Sequence, residues 1–393
     1  MNQKIIILSI LAMFYCSGAF SQPDCINEGA NEIMLNGDDW SGLIANLKSR
    51  HRANHKFTIV HIGDSHIQPG VVSDEVRRAL QERYGNGGRG LLSPLALAST
   101  NQPGDYTLRS SSSISSSSRM LSQGSVPLGS MTGVQVKFAG GATTLSIGTR
   151  GAGDEFYRIM MFHSRGDRFT VSQQGRQLKS VAISDYATSY VLSSLSDTAR
   201  LHLEGNGYLY GIRLLNSKRG VVVDCIGNNG ATYSSYCNIG GFASQLRDLE
   251  PQLVIISLGT NEAHGRFSSL TTYIDKLLSS IRRECPNVKF LLTTPLETQQ
   301  QHSRGYSIQS NVAEVRDMII NYGRSHKIAV WDFYRVGGGA GASGKWISSH
   351  HMSSDRIHLT DAGYHLQGKL LAKALLRLFD LDPVTPETDE SIE

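Results

Sequence analysis

Thr58-Ile59-Val60-His61-Ile62-Gly63-Asp64-Ser65-His66 decides how this chain is read. Thr58, Ile59, Val60 and Ile62 form a short apolar, β-branched run of strand length. Gly63 permits a sharp turn, and Val71 to Leu80 then carries the apolar spacing of a helix. A serine on a strand-to-helix turn is a common way to hold a nucleophilic hydroxyl at the carboxyl edge of a parallel sheet. Taken alone, Asp64-Ser65 fits a helix-capping turn equally well, because both residue types are preferred there. Three later stretches bear on the choice.

Outward from this stretch, strand and helix patterns alternate. Trp40 to Arg50 has amphipathic helix spacing before it. After the serine helix comes Tyr84-Gly85-Asn86-Gly87-Gly88-Arg89-Gly90, a glycine-rich loop read as a connector rather than a substrate contact. It is no phosphate cradle, since G-x-x-x-x-G-K-[ST] is absent. From Arg219 the alternation resumes. Val221–Asp224 is a strand ending at Gly227-Asn228-Asn229-Gly230, followed by a helix over 241–249. Leu253–Leu258 ends at Gly259-Thr260-Asn261-Glu262, followed by a helix from Leu270 to Arg283. Strands at Lys289–Thr293 and Ile328–Asp332 flank a helix from Asn311 to His326. A glycine-rich loop (Gly337 to Gly344), Asp355-Arg356-Ile357-His358 and a final helix from Asp361 to Phe379 close the pattern. Such alternation predicts an α/β domain with a parallel sheet covered on both faces.

Residues 99–218 differ. Val134–Phe138, Thr144–Ile147, Phe169–Ser172, Tyr190–Leu192 and Leu201–Leu203 are short alternating runs separated by Gly, Ser and Asn clusters. They predict an inserted β-sandwich. Ser110 to Ser118 reads as a flexible linker or a polar strand. The expected layout is thus one α/β domain in two parts, 22–98 and 219–381, with the insert at 99–218 between them. The acidic, proline-bearing tail, 382–393, is expected to be disordered.

The 393 residues are long enough for two domains plus a targeting segment, and 40% are hydrophobic, enough for a sizeable core. A net charge of +4 without a long basic run argues against nucleic acid as the main partner. Residues 1–21 have the form of a signal peptide: Lys4, an apolar core from Ile5 to Tyr15, and Ala19-Phe20-Ser21 before cleavage. The protein is therefore expected to be exported, periplasmic or secreted. Cys16 raises a lipoprotein reading that the bulky Tyr15 before it argues against. No later run reaches the ~20 apolar residues of a membrane helix. Cys25, Cys225, Cys237 and Cys285 leave the disulfide pairing open. No C-x-x-C or close Cys/His spacing suggests zinc.

Ligands of open α/β sheets bind at the carboxyl ends of the strands. Three strands here end in polar, glycine-containing turns, and Asp355 and His358 precede the last helix, within reach of the same edge. The residue types meet the needs of acyl transfer. A serine attacks, a histidine takes and returns its proton, and a carboxylate fixes the imidazole. Ser65 N–H, Gly230 N–H and the Asn261 amide are candidate donors to an oxyanion.

Gly63-Asp64-Ser65, Gly230, Gly259-Thr260-Asn261 and Asp355-Arg356-Ile357-His358 resemble, in order, the four sequence blocks of SGNH (GDSL-type) hydrolases. The resemblance covers about 56–98 and 219–380. It implies a three-layer α/β/α fold with Ser65 as nucleophile, His358 as base and Asp355 as its orienter. Ser65, Gly230 and Asn261 would form the oxyanion hole, with no metal or cofactor. An insert between the first and second blocks, with Gly63-Asp64-Ser65-His66 and Gly87-Gly88-Arg89-Gly90, is similar to bacterial peptidoglycan O-acetylesterases, whose insert resembles a carbohydrate-binding module. The expected activity is removal of O-acetyl groups from a carbohydrate, peptidoglycan foremost. The rivals are an acetylesterase acting on plant or host polysaccharide, a carbohydrate-binding protein with an idle hydrolase domain, and a lipase. His66 and Glu262 fit either the site or local packing. His350 and His351 read as a surface loop rather than a metal site. Tyr208 and Tyr210 read as half-buried strand residues rather than a sugar platform.

Overall fold

The computed structural model describes residues 21–49, 55–112, 114–120 and 128–381, so the expected signal peptide (all but Ser21) and the expected disordered tail lie outside the described residues. The serine strand, Lys56–Gly63, is buried at every position after Lys56. Its alternate side chains feed two cores. Phe57 and Ile59 join Val221, Val223, Leu253, Ile255 and Trp331 beneath the Val71–Tyr84 and Asp361–Asp380 helices. Val60 and Ile62 join Ile226, Val254, Ile256 and Leu292 beneath the Leu270–Glu284 and Asn311–His326 helices. A strand apolar on both faces has to lie between two helical layers, as the composition implied.

The six strands of this sheet run in the order Ile33–Met34, Ala329–Trp331, Lys289–Thr293, Leu253–Ser257, Lys56–Gly63, Gly220–Gly227. All pairs are parallel except the edge pair made by Ile33–Met34. Leaving that edge strand aside, the order is that of a doubly wound sheet whose switch point lies beside the serine strand. The register then places the site. Gly63 is opposite Gly227 on one side and Ser257 on the other. Three turns separated by up to about two hundred residues of chain therefore begin at one level.

His61, on the serine strand, is fully buried. Its Nδ1 lies 2.9 Å from Ser73 Oγ and its Nε2 2.8 Å from Ser257 Oγ. Burial pushes its pKa down to about 3, so the ring is neutral in the fold. In the unfolded chain it takes a proton near pH 6.5, so its stabilisation is present above that pH and is lost as pH falls toward 3. The urea-unfolding advantage of wild type over His61→Gln is expected to shrink between pH 6.5 and 4, by at most about 1.4 kcal/mol per pH unit. An advantage independent of pH would contradict this.

A ten-stranded antiparallel sheet is added to the α/β body. Two long strands, Val134–Thr149 and Thr198–Leu215, pair with each other and with shorter strands, and enclose a core that includes Tyr106, Val136, Leu145, Phe156, Leu201 and Ile212. This antiparallel content agrees with the expected insert. The sheet begins earlier than the composition suggested: Gly90–Leu92, placed in the α/β part by sequence, pairs with Ile212–Leu214. The glycine-rich loop brings it there by close backbone approach. Gly90 has φ +89°, and a Cβ on it would lie 2.7 Å from Val223 O. Part of the serine-rich run is a strand, Ser116–Arg119, paired with Val134–Lys137.

The two sheets share a core. Leu91, Met131, Met160, Phe162 and Tyr210 pack in the same cluster as Ile226, Tyr233, Tyr236 and Phe242. Two buried ion pairs join the α/β body to the added part: Arg77 of the Val71–Tyr84 helix with Asp154 at 2.5 Å, and Arg213 with Asp224 at 2.8 Å. The early helix is Ser41–Lys48, shorter than the expected 40–50, with Trp40 buried against Phe379. A hairpin, Gln299–His302 with Gly305–Ile308, stands where sequence offered only a connection. Cys25, Cys225, Cys237 and Cys285 are all free thiols. Cys225 is buried, with its thiol toward Ile67 O.

Candidate active site

The serine turn is built by its own backbone. Gly63 ends the strand, where a Cβ would meet Ile67 and Ser257 O. Asp64 O accepts the N–H groups of Ile67 and Gln68, and Asp64 Oδ1 accepts His66 N–H at 2.9 Å. Asp side chains commonly close turns in this way. Asp64 thus closes the turn without capping the following helix, whose N-cap is Gly70. Ser65 is half-buried, with Oγ 2.8 Å from His358 Nε2.

His358 Nδ1 lies 2.6 Å from Asp355 Oδ2. Asp355 Oδ1 accepts the N–H groups of Ile357 and His358, each at 3.0 Å. Partial burial pushes the Asp355 carboxyl up, but the His358 side chain and these two N–H groups outweigh it and hold its pKa below the usual value. An ionised carboxylate only accepts, so Nδ1 carries the imidazole proton and the Nε2 lone pair faces Ser65. The loop is held from outside by the hairpin. Arg356, at φ +60°, donates from Nη1 to Gln299 Oε1 at 2.8 Å and lies 3.9 Å over the Tyr306 ring. Asp355→Asn leaves Oδ1 for the backbone but can offer Nδ1 an N–H in place of an acceptor. An ester kcat/KM lower by about 10²- to 10⁴-fold, at unchanged melting temperature, is expected in initial-rate assays.

Gly230 lies in the turn that follows the strand Gly220–Gly227, which is paired in parallel with the serine strand. Asn228 O accepts Ala231 N–H at 3.1 Å, and Gly230 has φ +69°, the third-position glycine of a type II turn. Neither Ser65 N–H nor Gly230 N–H makes a hydrogen bond among the described residues. Asn261 is the second residue of the short helix Thr260–Ala263. Its Nδ2 donates to Ala231 O at 2.9 Å, and only a 3.5 Å contact with Asp64 Oδ2 engages the amide further. The structure therefore gathers Ser65, His358, Asp355, Gly230 and Asn261 at one edge, and ties the Asn261 amide to the Gly230 turn. Gly227→Ala would drive a Cβ into the Gln68 backbone. Loss of soluble protein, or a Tm lower by several degrees, is the expected outcome in a thermal melt.

Buried titratable groups lie around Ser65 and His358. Burial pushes the Asp64 pKa up to about 7, with the Glu262 carboxylate adding to the rise. Glu262 is itself buried, its pKa is raised by burial, and its Oε1 accepts Tyr233 N–H at 2.8 Å. It braces the chain behind the Gly230 turn. The His66 ring stacks on His358 at 5.3 Å and meets the edge of Tyr364. Burial first, then the charge of His358, push its pKa down to about 3.

His264 was not marked by sequence. Its Nε2 lies 2.9 Å from Thr298 Oγ1, and burial and then His358 lower its pKa. Tyr210 is buried, and Tyr208 is half-buried with Lys137 over its ring. His351 is buried with Nδ1 on Ser349 O. Among the described residues no group of three or more His, Cys, Asp or Glu could hold a metal ion.

Residues 198–366 match the model of the GDSL-like lipase/acylhydrolase family. The matched stretch is less than half of the chain. The match begins inside the long strand Thr198–Leu215, so it includes Gly230, Asn261, Asp355 and His358 but not Ser65, which precedes the added sheet. No curated protein matches the chain. Among solved structures, a peptidoglycan O-acetylesterase is 20% identical and superposes with a TM-score of 0.73, over 89% of this chain and 98% of that one. A GDSL-like lipase from Bacteroides thetaiotaomicron is 19% identical over 40% of this chain and 76% of its own, with a TM-score of 0.32. A lipase/acylhydrolase from Enterococcus faecalis is 20% identical over the same shares, 40% and 76%, with a TM-score of 0.32. The first likeness covers most of the chain, so the chain shares the fold of that structure over nearly its whole length.

Proposed function

We propose that this protein is an exported serine esterase of the GDSL type that removes O-acetyl groups from a carbohydrate, peptidoglycan foremost. The observation that carries the chemistry is the line from Asp355 through His358 to Ser65, at 2.6 and 2.8 Å. His358 Nε2 takes the Ser65 proton as Oγ attacks the acetyl carbonyl. The tetrahedral oxyanion lies toward Ser65 N–H and Gly230 N–H, with the Asn261 amide beside them. As the intermediate collapses, the sugar oxygen leaves with the proton held on His358, and acetyl-Ser65 remains. Water, deprotonated by the same nitrogen, attacks the acetyl group and releases acetate, and the proton returns to Ser65.

What supports a carbohydrate substrate is the likeness to the peptidoglycan O-acetylesterase over nearly the whole chain. What supports export is the leader pattern of residues 1–21. The test is acetate release from O-acetylated peptidoglycan, acetylated xylan and a small aryl acetate, with Ser65→Ala as control. Release from peptidoglycan that disappears in the variant is the expected result. Release from xylan alone would keep the mechanism and overturn the cell-wall substrate. Serine-independent release would overturn the mechanism.

A further inference from the structure

Gln68 lies three residues after Ser65 and is 3% exposed, yet the triad does not use it. Each end of its amide is engaged. Oε1 accepts Asn229 N–H at 2.7 Å, which holds the start of the turn that carries Gly230. Nε2 donates to Asn101 O at 3.0 Å and to Thr100 Oγ1 at 3.3 Å, in the segment between the Gly90–Leu92 and Tyr106–Ser110 strands of the added sheet. The same turn is fastened a second time to that sheet. Asn228 Nδ2 donates to Thr132 O at 3.0 Å and to Tyr236 Oη at 3.1 Å, while Asn228 N–H donates to Gly63 O at 3.2 Å. Gly133 is seated against this side chain so closely that a Cβ there would occupy the Asn228 amide.

From these contacts we infer that Gln68 is a positioning residue of the oxyanion hole, and that through it the added antiparallel sheet sets the hole's geometry. This rests on reading Ser65 as the nucleophile. The physical ground is the asymmetry of the turn. A type II turn keeps its central peptide oriented only while the residues around it are held, and the N–H groups of Asn228 and Asn229 both end on the serine turn, at Gly63 and Gln68. A donor to a developing oxyanion acts only when it is already aimed, so a small rotation of the Gly230 peptide is felt in kcat. On this account the added sheet is part of the catalytic apparatus for any ester, including one too small to touch it.

The test uses the full chain and p-nitrophenyl acetate, a probe with no sugar. Gln68→Met removes both contacts. Gln68→Glu keeps an acceptor for Asn229 N–H and loses the donor to Thr100 and Asn101, and it carries the test should the methionine variant not fold. The expected result is a kcat lower by roughly 10²-fold for Gln68→Met, the size of losing one oxyanion donor. KM should change little, and Gln68→Glu should fall between. Amide hydrogen exchange at Asn229, whose N–H loses its acceptor in Gln68→Met, should quicken, with the exchange of the serine strand unchanged. Full kcat in both variants, while Ser65→Ala is inactive, would overturn this inference and leave the esterase reading standing. Full activity in Ser65→Ala would overturn the reading on which the inference rests. Unchanged exchange at Asn229 in Gln68→Met would overturn it whatever the activity toward the probe.

Discussion

Ser65→Ala is expected to lose aryl-acetate hydrolysis by roughly 10⁴- to 10⁶-fold while keeping its melting temperature, as losses of a serine nucleophile do elsewhere. The fold does not depend on this hydroxyl. Ser65 is half-buried and its Oγ contacts only His358, which keeps Asp355 as a partner. Removing Oγ therefore leaves no buried polar group orphaned, and the small void opens toward the site. The decisive measurement pairs initial rates with a thermal melt. Residual activity within tenfold of wild type in a folded variant would refute the nucleophile. A melting temperature lower by many degrees would show that the turn needs its serine.

Arg213→Leu is expected to destabilise the protein by about 3 to 5 kcal/mol, the range seen when one partner of a buried ion pair is removed. Arg213 belongs to the long antiparallel strand Thr198–Leu215, and Asp224 to the parallel strand Gly220–Gly227. The Asp224 side chain is fully buried and that of Arg213 is 4% exposed, with 2.8 Å between them. Burial already raises the Asp224 pKa, and Arg213 opposes the rise. The arginine also donates to Thr58 Oγ1 at 3.0 Å, at the start of the serine strand. The single change leaves Asp224 with the Leu91 N–H as its remaining donor. Urea unfolding at neutral pH gives the number. Arg213→Leu with Asp224→Leu should recover much of the loss, because no charge is then stranded. A loss below about 1 kcal/mol for the single variant would mean that the pair is solvated.

Much of the α/β body was legible because its causes are local. Ile59, Val60 and Ile62 form an unbroken apolar run, and only a strand covered on both faces buries all three. The glycine turns at 63, 227, 230 and 259 mark where such strands must end, and Asp355 and His358 are three residues apart and meet through one loop. Where composition stood in for geometry, the reading was less secure. Gly90–Leu92 looked like the end of a connector, since three residues show no periodicity, and its strand exists only because Ile212–Leu214 lies beside it. The hairpin at 299–308 is a polar stretch of Gln, His and Ser without the apolar alternation that signals a strand, and its role comes from Arg356 resting on Tyr306.

The sequence by itself determined the strand-and-helix order, the serine turn and the residue types of a serine esterase, because backbone propensity and burial act over a few neighbouring residues. The tertiary structure alone decided the register that levels Gly63 with Gly227 and Ser257. It alone decided that Gln68 would meet Asn229, and that His264 would lie near enough to His358 to feel its charge. Those contacts join residues up to about two hundred positions apart. A chain carries no local signal for a neighbour that only the packing of two sheets supplies.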